Sequence, residues 1–151
     1  MLLHANANGE SLSPNAKSTA ERIVGFHRVT KVSSIIGRKT SEAVTISAYG
    51  NLKAAANLMR GRQVPALAVL WNREIVGLVT ERDIVVALSI HNEGAGFVRV
   101  KDAMSPRVVS ISPDDTIEHA KLLMATKRCH HLPIVDDGKL VGILSLGDIL
   151  K

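Results

Sequence analysis

The sequence predicts an α+β fold: two tandem β-α-β-β-α units packed sheet against sheet about a pseudo-two-fold axis. Three observations carry that expectation. Residues 44–86 recur without a gap at 109–151, at a constant offset of 65, with 11 identities in 43 positions. Each copy alternates short strand-like runs with helix-like ones. Each copy also carries a polar trio at one spacing, Gly77-x-x-Thr80-x-x-Asp83 and Gly142-x-x-Ser145-x-x-Asp148. A unit of this size cannot bury both faces of its own sheet, whereas two stacked copies can.

The elements follow in order. Residues 1–28 are polar and mixed and read as a mobile tail with a short helix around 20–26. Residues 29–91 form the first repeat, 92–99 a connector containing Gly94-Ala95-Gly96, and 100–151 the second repeat. Residues 32–36 resemble 100–104, so each repeat opens on a short lead-in. Val44-Thr45-Ile46 and Val109-Ser110-Ile111 alternate as strands do. Ser112-Pro113-Asp114-Asp115-Thr116 is a turn ending in a helix N-cap. The helix after it puts Ile117, Ala120 and Met124 on one face, as Leu52, Ala55, Ala56 and Met59 are placed in the first copy. Asp136-Asp137-Gly138-Lys139 is a strong hairpin turn between two apolar runs, and Trp71-Asn72-Arg73-Glu74 occupies the same place less ideally. A last helix starts near Glu81 and near Leu146.

Composition narrows the function. With 151 residues and 46% hydrophobic residues the chain buries a real core, and at 3% aromatics that core is aliphatic. A net charge of +5 suits a soluble protein and mildly favours anionic partners. The single cysteine, Cys129, excludes an intrachain disulfide and fits a reducing cytoplasm. The longest apolar run, Val64 to Trp71, falls far short of the roughly 18 residues of a membrane span. No signal-peptide pattern opens the chain. Lys17, Arg22, Arg28, Lys31, Arg38 and Lys39 make the front basic, but stacking aromatics are nearly absent, so a solvated surface is expected there rather than nucleic-acid binding.

The repeated trio is the chemical signal. An aspartate one turn into a helix accepts two hydrogen bonds side by side, which matches the 2′- and 3′-hydroxyls of a ribose. Charge-assisted bonds of this kind are worth roughly 1.5–3 kcal/mol each. The hydroxyl and the free N–H groups at a helix start suit a phosphate oxygen, Arg82 supplies a cation, and the glycine permits close approach of a backbone. The alternative is that Thr80 and Ser145 are N-caps with their aspartates favoured by the helix dipole. Agreement between the copies puts the ligand reading ahead.

The strings Ile75-Val-Gly-Leu-Val-Thr-Glu-Arg-Asp83 and His131-Leu-Pro-Ile-Val-Asp-Asp-Gly-Lys-Leu-Val-Gly-Ile-Leu-Ser-Leu-Gly-Asp148 resemble the signature of CBS (cystathionine-β-synthase-type) domains, and the pair resembles a stand-alone Bateman module covering residues 30–151. The resemblance implies a regulatory protein, not an enzyme, that binds AMP, ADP, ATP, NAD(H) or S-adenosylmethionine in two clefts between the repeats. It implies a homodimer that signals through its geometry to an enzyme or transporter, with no cofactor required. Carried over residue by residue, one cleft holds Thr80, Arg82 and Asp83 with Val108, Val109, His130 and Pro133. The other holds Ser145 and Asp148 with Val44, Val64 and Ala66. In that picture the valines embrace adenine, the aspartates hold ribose, and Arg82 with His130 or His131 meets phosphate.

The second cleft carries Gly147 opposite Arg82 and Pro65 opposite His130, so the first is expected to favour phosphorylated ligands. His130-His131 is not read as a metal site, because strand neighbours face opposite ways and no zinc-type spacing accompanies them. Cys129 is read as a small buried apolar residue. Two other readings stand beside the sensor. One is a dimerisation or docking scaffold in which the motif is residual. The other is an enzyme, for which no nucleophile–base set is visible in the sequence.

Overall fold

The computed structural model describes residues 29–37 and 42–151. The tail expected at 1–28, with its helix at 20–26, lies outside them. The described elements are helix α1 (Val32–Ile36), strand β1 (Thr45–Ser47), helix α2 (Leu52–Arg62), strands β2 (Ala66–Trp71) and β3 (Glu74–Thr80), helix α3 (Glu81–His91), a 3-10 turn (Asn92–Phe97), helix α4 (Val100–Ala103), helix α5 (Ile117–Lys127), strands β4 (His131–Asp136) and β5 (Lys139–Ser145), and helix α6 (Leu146–Ile149).

Local chemistry sets these boundaries. Asn51 caps α2 by accepting from the Ala54 N–H at 2.8 Å, and Thr116 caps α5 by accepting from the His119 N–H at 3.0 Å. Both helices stop at a residue in the left-handed region, Gln63 at φ 53° and Arg128 at φ 51°. Each hairpin turns in two residues with positive φ, Asn72-Arg73 and Asp137-Gly138, the pairing that a right-twisted ribbon requires. The two hairpins also share a register shift, between Val69 and Leu70 and between Ile134 and Val135.

The apolar stripes face inward as their spacing requires. Leu52, Ala55 and Met59 of α2 are buried with Ile46, Leu67, Val69 and Val79 in one core. Ile117, Ala120 and Met124 of α5 are buried with Ile111, Leu132, Ile134 and Leu144 in the other.

The second copy departs from the expected pattern at its first strand. β1 runs parallel to β2 over Thr45, Ile46 and Ser47, but the matching segment pairs only at Ile111, beside Ile134. Two prolines account for the loss. In the first copy the N–H of Ala68 donates to Val44 O and that of Ala48 to Leu70 O. Their counterparts are Pro133 and Pro113, which have no N–H to give. The two bonds that need neither proline donor survive, Ile111 N to Pro133 O and Val135 N to Ile111 O, each 2.9 Å.

The lead-ins are exchanged. Val32, in the lead-in that opens the first repeat, is fully buried in the core of the second, and Val100, in the lead-in that opens the second, is fully buried in the core of the first. Backbone bonds fix both in matching ways. Val32 N donates to Asp115 O, Ser33 N to Pro113 O, and Ile117 N to Thr30 O, each at 2.9 Å. Val100 N donates to Gly50 O at 2.8 Å, Lys101 N to Ala48 O at 2.9 Å, and Leu52 N to Val98 O at 3.0 Å. Fully burying one such valine is worth about 1.5–3 kcal/mol.

The exchange explains Gly77. The segment after α4 pairs with β3 through Leu78 N to Ser105 O at 3.1 Å and Ser105 N to Leu78 O at 2.8 Å. A Cβ on Gly77 would stand 2.9 Å from the Ser105 carbonyl and overlap Met104. The close approach that this glycine permits is therefore to the exchanged lead-in of the chain itself.

Two outcomes are expected. Gly77→Ala destabilises the protein by about 1–3 kcal/mol in urea titration, because backbone must move to admit the methyl; an unchanged midpoint would refute the packing argument. A fragment of residues 100–151 lacks Val32 and the Thr30 carbonyl that accepts from the first N–H of α5, so it shows no cooperative melt by circular dichroism. A sharp sigmoidal transition would show that the repeats do not depend on each other.

Candidate functional site

Each repeated hydroxyl–aspartate pair closes the start of a helix. Thr80 is extended, at φ −121° and ψ 169°, and precedes α3. Asp83 Oδ2 accepts from the Thr80 N–H at 2.7 Å and from the Thr80 hydroxyl at 3.1 Å. Asp148 Oδ2 accepts from the Ser145 N–H at 2.8 Å and from its hydroxyl at 2.7 Å, while Ser145 Oγ accepts from the Asp148 N–H at 3.1 Å. Both trios are thus capping boxes with aspartate as the third-residue partner. The capping alternative is realised, and it occupies one oxygen of each carboxylate. Oδ1 of Asp83 accepts no hydrogen bond among the described residues.

The helix starts offer less free backbone than their sequence suggests. Glu81 N donates to Pro65 O at 3.1 Å, and Leu146 N donates to His130 O at 2.9 Å. The first N–H of each helix is therefore taken by a carbonyl of the chain itself.

Asp83 lines a cleft of about 660 Å³ between the repeats. The first repeat contributes Pro65, Leu78, Thr80, Glu81, Arg82 and Asp83; Ser105 and Arg107 come from the segment after α4; the second repeat adds Val109, Met124, Ala125, Arg128, Cys129, His130 and His131. The structure therefore brings together Thr80, Arg82, Asp83, Val109, His130 and His131. Both histidines reach the same cleft because His130 sits in the bend before β4, where strand alternation does not hold.

Two residues expected here are elsewhere. Val108 lies on a different cleft, because it and Val109 are neighbours in an extended segment and face opposite ways. Pro133 is buried and lies behind the wall, with its carbonyl engaged by Ile111. In the other set, Ala66 is buried, and Val44 and Val64 pack against the first core, while Ser145 and Asp148 are half-buried. The chain between α1 and β1 includes residues 38–41, outside the described region, so that set is located only residue by residue.

Arg107 and Arg128 were not anticipated. Arg107 lies two residues before Val109, and Arg128 two before His130, so proximity to the expected segments was the available signal. Three arginines line the cleft against two carboxylates, Glu81 and Asp83. None of the three forms an ion pair with a described residue. Burial raises the pKa of the Cys129 thiol from its ordinary value, opposed by a hydrogen bond from the backbone of His131. Among the described residues no three His, Cys, Asp or Glu side chains are grouped to hold a metal ion, and no helix is long and apolar enough to cross a membrane.

The Val108 cleft, of about 620 Å³, sits at the hairpin tips. Its lining pairs at the repeat offset: Ala43 with Val108, Thr45 with Ser110, Leu70 with Val135, Arg73 with Gly138, Glu74 with Lys139, and Ile75 with Leu140. Each residue lines the cleft together with its own counterpart, as a cleft on the pseudo-two-fold axis requires. The Asp83 cleft is instead lined by the hydroxyl–aspartate pair of one repeat only, Thr80 and Asp83.

Comparison with known proteins sets this geometry in context. The family model of the CBS domain matches residues 32–90 and 100–151. The CBS domain-containing protein YhcV of Bacillus subtilis is 35% identical over 118 residues, spanning 78% of this chain and 84% of that protein. A putative signal-transduction protein with CBS domains from Burkholderia ambifaria superposes with a TM-score of 0.75 at 30% identity, over 81% of this chain and 92% of that one. The CBS domain pair of protein MJ0100, solved in complex with 5′-methylthioadenosine and S-adenosyl-L-methionine, has the same fold, with a TM-score of 0.71 at 23% identity over 82% and 94% of the two chains.

The Cys129 environment gives a test of how dry the cleft wall is. The raised pKa means a smaller thiolate fraction at pH 8 than in a free cysteine. The iodoacetamide rate should therefore climb at higher pH than it does for cysteine in an unfolded control; a profile at or below that control would contradict the burial.

Proposed function

The chain belongs to the CBS-domain family, and on that premise we propose that it is a sensor whose Asp83 cleft takes an adenosine-bearing ligand. The observation that carries this reading is the carboxylate of Asp83: one oxygen holds the helix start, the other accepts no hydrogen bond among the described residues, and Asp83 lines a cleft of about 660 Å³. That volume lies within the range of small-molecule sites. The ribose sets its hydroxyls against Asp83. Val109, Met124 and Leu78 supply the apolar contact for adenine, and the phosphate side meets Arg82 and His130. The adenosine compounds in the MJ0100 complex support the ligand class. Ser145 and Asp148, with Val44, Val64 and Ala66, make the second place for such a ligand. The chemistry is binding, and the bound state passes to a regulated enzyme or transporter through the geometry of a homodimer.

A scaffold without ligand is the second reading, and one observation favours it. The capping boxes account for the spacing of the hydroxyl and aspartate in both copies. The two readings part on binding. At about 100 times its dissociation constant, a ligand adds roughly 2.7 kcal/mol of apparent stability. Thermal shift against AMP, ADP, ATP, NAD, NADH and S-adenosylmethionine should therefore single out one or two of them; no shift from any would favour the scaffold.

Asp83→Asn keeps an oxygen for the cap and removes the charge. It should weaken AMP binding by about tenfold or more, and 2′-deoxy-AMP should bind the parent protein more weakly than AMP does. Equal affinity of Asp83→Asn and parent would end the ribose assignment.

A further inference from the structure

The repeat supplies an internal control for the Asp83 cleft. A residue that the fold requires should recur at the equivalent position of the other copy. Thr80 and Asp83 do recur, as Ser145 and Asp148, and both pairs cap a helix. The left-handed residue ending the long helix recurs as well, but as Gln63 in one copy and Arg128 in the other, at almost equal φ. The backbone there needs neither side chain. Arg82 stands where the other copy has Gly147, and His130 where it has Pro65. The fold thus tolerates neutral residues at all three positions, and the basic versions of all three line one cleft, with Arg107 beside them.

The cleft holds three arginines against two carboxylates, and one oxygen of Asp83 is committed to the helix cap, so positive charge is in excess there and a chain of phosphates supplies the missing negative charge. A single phosphate needs one arginine fork. Three arginines spread over the start of α3, the end of α5 and the segment after α4 suit a longer anion. We infer that the Asp83 cleft selects its ligand by the number of phosphates, with Arg82, Arg107 and Arg128 grading affinity upward from adenosine through AMP and ADP to ATP. The same three charges disfavour S-adenosylmethionine, whose sulfonium is a cation. This inference rests on the adenosine reading and adds to it the ligand that the cleft prefers.

Calorimetric titration of the full chain with adenosine, AMP, ADP, ATP and inorganic tripolyphosphate, all metal-free, tests it. The parent, Arg128→Gln and Arg107→Gln are compared at low salt and in 0.5 M salt. Arg128→Gln installs the residue type that the other repeat already carries at this backbone conformation, so the protein should fold. Affinity should rise at each added phosphate, and each substitution should cut the ATP-to-AMP ratio by about tenfold while leaving adenosine unchanged. High salt should shrink the ratio in the parent, because these arginines are exposed. ATP binding no tighter than AMP, or a substitution that weakens adenosine and ATP alike, would overturn the inference and leave the adenosine reading standing. Tripolyphosphate matching ATP, with no binding of adenosine or AMP, would keep the charge selection and overturn the adenosine reading. Absence of binding by all five would overturn both.

Discussion

The exchange of lead-ins is the constraint on which the rest depends. Neither repeat completes its own core: Val32 fills the core built on α5, and Val100 fills the core built on α2. The bonds that hold them are backbone bonds to the turns just before those helices, so the lead-ins also satisfy N–H and C=O groups that would otherwise be left at the edge of each repeat. Because each repeat is closed by chain belonging to the other, the two are held in fixed relation. That relation positions α3 of one repeat opposite the end of α5 and the start of β4 of the other, and so creates the cleft. A ligand bridging these elements would act on the same geometry that the exchange sets.

The polar trio joins structure and chemistry in a way that sequence alone could not separate. Its glycine answers to packing, since Ser105 and Met104 occupy the space a side chain would take beside Gly77. Its hydroxyl answers to the helix start. Its aspartate answers to the helix start as well, with Oδ2 committed to the cap in each copy, while Asp83 also lines the cleft. A carboxylate held by two hydrogen bonds from the N-cap residue is restrained, and a restrained acceptor loses little entropy on meeting any ligand.

Much of the fold was legible in the sequence. The 65-residue offset, the helical stripes at Leu52, Ala55 and Met59, and the Asp137-Gly138 turn all fall where local chemistry puts them. The sheet at the second copy was overestimated, although the reason was written in Pro113 and Pro133, which remove the two donors that lengthen β1 in the first copy. The exchange of lead-ins was not legible, because an amphipathic run states that it buries a valine but not which core receives it. The cleft was half legible. Thr80, Arg82, Asp83, Val109, His130 and His131 came from motif and register, whereas Arg107 and Arg128 are brought in by the path of the backbone rather than by any pattern.

A crystal structure of the protein soaked with AMP tests the central claim most directly. The account predicts density in the Asp83 cleft, with the ribose hydroxyls within hydrogen-bond distance of the Asp83 carboxylate and the phosphate on the side of Arg82 and His130. AMP seated at the hairpin-tip cleft, or an Asp83 carboxylate that stays untouched while AMP occupies the molecule elsewhere, would contradict it.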